Sequence, residues 1–163
     1  MKALDQMTAR DIMHTDVLSV TEDMSVRELA GLLTGRMISG APVVDQDNRL
    51  CGVVSLTDIV ANEGKRQAIR GGEHVGDFFL QGWEDELDET DLRPFHVMGD
   101  DDMSVADIMT SIIYSVDETA GLADMAEAMI TGRIHRLLVT RDDQVVGIVS
   151  TLDMLRALRT AVS

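Results

Sequence analysis

Two stretches of this chain carry the same potential chemistry. Gly52-Val53-Val54-Ser55-Leu56-Thr57-Asp58 and Gly147-Ile148-Val149-Ser150-Thr151-Leu152-Asp153 each lead from a glycine through apolar residues to a serine and then, three residues on, to an aspartate. Glycine at 52 and 147 permits close approach of backbone or ligand at a strand end. Ser55 or Ser150 then starts a helix, whose free N–H groups and dipole favour a phosphate. At the third helical position, Asp58 or Asp153 offers a carboxylate that can accept from paired hydroxyls. The same Ser-x-x-Asp spacing is also that of a plain capping box, which requires no ligand. Spacing alone leaves both readings open.

Other candidate chemistry is thin. His14, His74, His96 and His135 have no metal-ligand spacing, and Asp100-Asp101-Asp102 lacks the glycine and distal glutamate of a calcium loop, so no metal site is expected. No nucleophile stands beside a base, and no phosphate-cradling P-loop is present, so no catalytic residue is assigned and the chain is expected not to be an enzyme. Cys51, inside the apolar run Leu50 to Val54, reads as a small buried hydrophobe. The net charge of -15 and only two lysines, Lys2 and Lys65, argue against a nucleic-acid partner. Met1 to Asp11 has no apolar segment of signal-peptide type, and no window approaches the ~20 apolar residues of a membrane span. A reducing cytoplasm is the expected compartment.

The elements that must position these residues come as a repeat. Met7, Asp11, Ile12, Met13, Ser19, Val20, Glu22 and Ile38 recur in order as Met103, Asp107, Ile108, Met109, Ser115, Val116, Glu118 and Ile134, and the two Gly-to-Asp stretches close the two copies. Thr8-x-x-Asp11 and Ser104-x-x-Asp107 predict caps on one short turn each. Ser25 and Glu28 predict the start of a longer helix, with Val26, Leu29, Ala30, Leu33 and Met37 as its apolar stripe. Leu122, Met125, Ala126 and Met129 form the corresponding stripe in the second copy. Ala41 to Val44 and Leu50 to Val54 predict a hairpin around Asp45-Gln46-Asp47-Asn48, as do Leu137 to Thr140 and Val145 to Val149 around Arg141-Asp142-Asp143-Gln144. The expected fold class is α/β of the α+β type, each repeat a three-stranded sheet with two helices. One such unit has too little core to stand alone, so the two are expected to pack sheet to sheet with pseudo-two-fold symmetry. Residues 7–62 form the first repeat, 63–102 an acidic linker and 103–160 the second repeat. The linker carries Gly71-Gly72, and Phe78, Phe79 and Trp83 are its candidates for anchoring on the core.

The opening D-I-M, the strands I-S-G-A-P-V-V-D and I-H-R-L-L-V, and the closing G-V-V-S-L-T-D and G-I-V-S-T-L-D resemble the cystathionine-beta-synthase (CBS) repeat, twice and in order. The resemblance implies a regulatory pair of repeats, a Bateman module, that binds an adenosine ligand (AMP, ADP, ATP or S-adenosylmethionine), forms a homodimer and acts on another protein. It also implies two composite clefts. One joins Val53, Ser55, Thr57 and Asp58 with Met109, Ile113, Ile134, His135 and Arg136. The second joins Ile148, Ser150 and Asp153 with Met13, Val17, Ile38 and Ser39. His135-Arg136 would suit phosphate oxygens, whereas the second set has Ser39-Gly40 in the matching place and Leu152 where the first has Thr57, making it the poorer phosphate site. A ligand-free scaffold using the acidic linker as its contact surface is the alternative.

Overall fold

The computed structural model describes residues 2–65, 77–80 and 102–162. Gly71-Gly72, Trp83 and the acidic run from Glu84 to Asp101 lie outside them. Among the described residues the fold is mixed α/β, with two three-stranded sheets and seven α-helices. No helix among them is long and apolar enough to cross a membrane. The chain divides into two compact units, and neither is continuous in sequence.

The first sheet holds β1 (Val20–Thr21) parallel to β2 (Gly40–Val44), and β2 antiparallel to β3 (Leu50–Ser55). Helix α2 (Val26–Arg36) bridges β1 and β2 and begins where the capping pair predicts: Glu28 N donates to Ser25 Oγ at 3.1 Å, and Ser25 N donates to the Glu28 carboxylate at 3.0 Å. Its buried face is Val26, Leu29, Ala30 and Leu33. Met37, which the spacing places on that stripe, instead adopts a left-handed backbone (φ 53°) and is 52% exposed. A left-handed residue ends the helical ladder, so its side chain leaves the stripe. At the hairpin, Asp45 Oδ1 accepts from Asp47 N and Arg49 N, both at 2.9 Å, before the chain enters β3. Helix α3 (Leu56–Lys65) follows directly. Leu29, Leu33, Val43, Val54 and Ile59 form the core of this unit, each worth about 1.5–3 kcal/mol on burial.

A distant segment completes that core. Val105, from the single turn α5 (Val105–Ile108), is fully buried within it. Val105 N donates to Met24 O at 2.8 Å, Ala106 N to Glu22 O at 2.9 Å and Val26 N to Met103 O at 2.9 Å. Phe78, from α4 (Asp77–Leu80), is also buried in this unit.

The second unit repeats the plan. β4 (Ser115–Asp117) runs parallel to β5 (Arg136–Arg141), which is antiparallel to β6 (Gln144–Ser150). Helix α6 (Leu122–Gly132) links β4 to β5, and α7 (Thr151–Ala161) follows β6. The hairpin turn is Asp142-Asp143, both at positive φ (51° and 64°), as a two-residue turn of matching twist demands. Here the inserted segment is the amino-terminal turn α1 (Ala9–Ile12). Ala9 is fully buried and its N–H donates to Ala120 O at 2.8 Å, while Arg10 N donates to Glu118 O at 3.0 Å. Phe79 is fully buried, meets the Tyr114 ring edge-on at 5.3 Å, and its carbonyl accepts from His135 N at 2.8 Å. Phe78 and Phe79 of the inter-repeat segment are thus both buried.

Each unit thus combines the body of one repeat with the opening turn of the other. A single helical turn cannot bury its own apolar residue, and Ala9 and Val105 each find cover on the opposite repeat's sheet.

Candidate functional site

In the β1–β3 unit, the absence of a side chain at Gly52 lets the segment 109–110 lie on β3. A Cβ there would stand 2.9 Å from the Thr110 carbonyl oxygen and 2.8 Å from Met109 Sδ. Val53 and Thr110 exchange two backbone hydrogen bonds of 2.9 Å each. Three residues after Gly52, buried Ser55 caps α3. Its N–H and its Oγ–H both donate to Asp58 Oδ2, at 2.8 and 3.0 Å, and the Oγ also lies 2.7 Å from Thr57 Oγ1. Thr57 is exposed and Asp58 half-buried; Met109 and Ile113 are half-buried nearby in the same unit. Ile38 and Ser39 precede β2, and the Ser39 carbonyl accepts from Leu56 N at 2.8 Å, beside the start of α3.

The β4–β6 unit builds the same turn with different occupants. A Cβ at Gly147 would stand 2.8 Å from Met13 Cγ and 3.0 Å from the His14 carbonyl oxygen. His14 and Ile148 exchange two backbone bonds of 2.9 Å, as Thr110 and Val53 do. Ser150 N and Oγ donate to Asp153 Oδ2 at 2.9 and 2.7 Å. The other oxygen, Oδ1, accepts from His14 Nε2 at 2.9 Å and from Arg156 Nη1 at 3.3 Å. Asp153 is 5% exposed. Burial works against its charge, but the Ser150 amide and hydroxyl and the His14 ring outweigh burial and hold its carboxyl below the usual aspartate range.

Ile134 is buried, His135 exposed and Arg136 half-buried. Arg136 faces Ser150 across the β5–β6 ladder, and the His135 carbonyl accepts from Thr151 N at 2.9 Å. Ile134, His135 and Arg136 therefore share a unit with Met13, Val17, Ile148, Ser150 and Asp153, while Ile38 and Ser39 share one with Val53, Ser55, Thr57, Asp58, Met109 and Ile113. Sequence reasoning grouped these residues by cleft; the antiparallel ladders group them by sheet, because the start of the middle strand lies opposite the end of the next.

The capping account of the Ser-x-x-Asp pattern holds at all four sites. Thr8 N and Ser104 N donate to Asp11 and Asp107 at 2.9 and 2.8 Å, as Ser55 and Ser150 do to Asp58 and Asp153. His14 and Arg156 were missed as neighbours of Asp153. The repeat held a signal for His14: its counterpart after the second D-I-M is Thr110, one of the points at which the two opening turns differ in chemistry. Cys51 is half-buried; its Sγ donates to Val43 O at 3.4 Å, and burial, followed by Glu22 and Asp45, pushes the thiol up, away from reactivity. No group of three or more His, Cys, Asp or Glu among the described residues could hold a metal ion.

The CBS domain family model matches residues 9–63 and 105–160. An uncharacterised protein of Methanocaldococcus jannaschii is 29% identical over 160 residues, covering 93% of this chain and 91% of its own length. One of Methanopyrus kandleri is 41% identical over 59 residues, 36% of this chain and 30% of its own length. The inosine-5'-monophosphate dehydrogenase of Methanocaldococcus jannaschii matches 91% of this chain at 23% identity, but only 23% of its own length. The chain thus spans about a quarter to a third of the length of these last two relatives. Among solved structures, CBSX2 in complex with AMP is similar with a TM-score of 0.64 at 23% identity, covering 96% of this chain and 98% of that one. The CBS domain pair of protein MJ0100 in complex with 5'-methylthioadenosine and S-adenosyl-L-methionine gives 0.62 at 19%, covering 94% and 97%. At these identities the likeness establishes the fold.

Proposed function

The chain belongs to the CBS domain family, and from that membership we propose that it is a regulatory module without catalytic chemistry, which binds an adenine nucleotide at its Gly-to-Asp turns. The observation that carries this reading is that each turn is assembled from segments far apart in sequence. Val53, Ser55, Thr57 and Asp58 come together with Met109 and Ile113 in one unit, and Ile148, Ser150 and Asp153 with Met13 and Val17 in the other. The solved relatives with AMP, or with 5'-methylthioadenosine and S-adenosyl-L-methionine, support the adenosine class.

In this reading the ribose hydroxyls donate to the aspartate and the helix start faces the phosphate. Ligand binding biases the protein toward one arrangement, which a partner protein or a second copy of the chain reads. Calorimetric titration of the protein with AMP, ADP, ATP and S-adenosylmethionine tests this. Asp58→Ala is expected to weaken binding of the tightest ligand at least tenfold, and Asp153→Ala to weaken it less. Equal losses in the two variants refute the inequality of the sites, and unchanged affinity in both refutes the assignment of the turns.

A further inference from the structure

We propose that His14 is a built-in occupant of the Asp153 carboxylate, which a ligand's sugar diol must displace, and that it thereby weakens ligand binding at the Asp153 turn. The inference rests on the nucleotide reading above and names the residue that opposes a ligand at the Asp153 turn. A carboxylate offers about four acceptor positions, two on each oxygen. At Asp153 four donors use them: Ser150 N and Oγ on Oδ2, and His14 Nε2 and Arg156 Nη1 on Oδ1. A diol that donates both hydroxyls to this group must displace two of the four. The two Ser150 donors hold the start of α7 and are integral to the fold. The remaining two, His14 at 2.9 Å and Arg156 at 3.3 Å, are the ones to give way; both side chains are more than half exposed, with solvent to move into, and the closer contact, that of His14, is the costlier to break.

The chain contains its own control. Thr110 occupies the place of His14 after the second D-I-M and makes the same pair of 2.9 Å backbone bonds, to Val53 in its case. Ala61 stands where Arg156 does, three residues beyond the aspartate. The backbone bridge to the strand therefore does not need an imidazole. The ring at position 14 is an addition confined to the Asp153 turn, and its effect is on the carboxylate.

The test is calorimetric titration with AMP and with adenosine, which presents the diol without a phosphate, against wild type, His14→Thr, Asp153→Ala and the double variant. Threonine already serves at the equivalent backbone position, so His14→Thr is expected to fold, and far-UV circular dichroism checks it. The expected result is a second binding step in His14→Thr about tenfold to hundredfold tighter than in wild type, the equivalent of one charge-assisted hydrogen bond. Adding Asp153→Ala should abolish that gain. If His14 merely supported the fold, its replacement would weaken binding, so the sign of the change separates the two roles. An unchanged or weaker second step in His14→Thr, with wild type binding normally, overturns the inference and leaves the nucleotide reading standing. No binding by any variant or by wild type overturns both.

Discussion

Among the described residues outside the two turns, Glu118 carries a heavily paired carboxylate. Buried at 6% exposure, it accepts from Arg141 Nε at 2.6 Å and from Arg10 Nε at 3.1 Å, and both guanidiniums add a second contact through Nη2. The hydrogen bonds from Arg141 and then Arg10 lower its pKa from the usual 4.5 to about 2. A group depressed in the folded state stabilises the protein above its unfolded pKa, and that stability fades as pH falls from 4.5 toward 2. In the other unit Glu22 stands in the equivalent place, with Ala106 and Asp45 where Arg10 and Arg141 would be. Acid sensitivity of this kind therefore belongs to the β4–β6 unit. In urea titrations at successive pH values, Glu118→Gln is expected to be less stable than wild type at pH 7, with the two converging below pH 4. Parallel curves across that range would show that the pairing contributes nothing. Asp153 follows the same logic at the residue scale: the Ser150 amide and hydroxyl, and after them the His14 ring, lower its pKa, and of these the His14 contact is the one proposed to give way to a ligand.

At the scale of elements, the residues that follow the opening turns α1 and α5 are held against the middle of β6 and β3 by close backbone approach. That approach requires glycine. A methyl group at Gly147 would meet the His14 carbonyl oxygen at 3.0 Å, and one at Gly52 would meet that of Thr110 at 2.9 Å. Gly147→Ala is expected to cost about 1–3 kcal/mol, the usual penalty for overpacking a fitted contact, measured by equilibrium unfolding in urea. Gly35, on the exposed side of α2 with nothing within 4 Å of its would-be Cβ, is the internal contrast. Gly35→Ala should raise stability by about 0.5–1 kcal/mol through helix propensity. If Gly147→Ala were as benign as Gly35→Ala, the docking of the opening turn would not depend on close approach.

For the whole molecule, the proposed pairing with a second copy has a surface to use. Leu155 (57% exposed), Leu158 (47%) and Val162 (75%) lie at helical spacing along α7 and just past its end, and Ile130 on α6 is 73% exposed. Clustered apolar exposure of this kind marks an interaction face. Light scattering coupled to gel filtration should give twice the monomer mass for wild type and the monomer mass for Leu158→Glu; a monomeric wild type would refute the pairing. The repeat, the four capping turns, both hairpins and the stripe of α2 were legible in the residues, because each depends on neighbours within a few positions: a Ser-x-x-Asp spacing, a period of 3.6, an Asp-rich turn. The Met37 exception arose where the helix had to end. Family resemblance, and not spacing, suggested that each opening turn would serve the opposite repeat. Tertiary structure alone decided that His14 meets Asp153 and that Arg10 reaches Glu118, 139 and 108 positions away. Contacts between residues so far apart depend on how whole elements close on one another, and no local pattern encodes that closure.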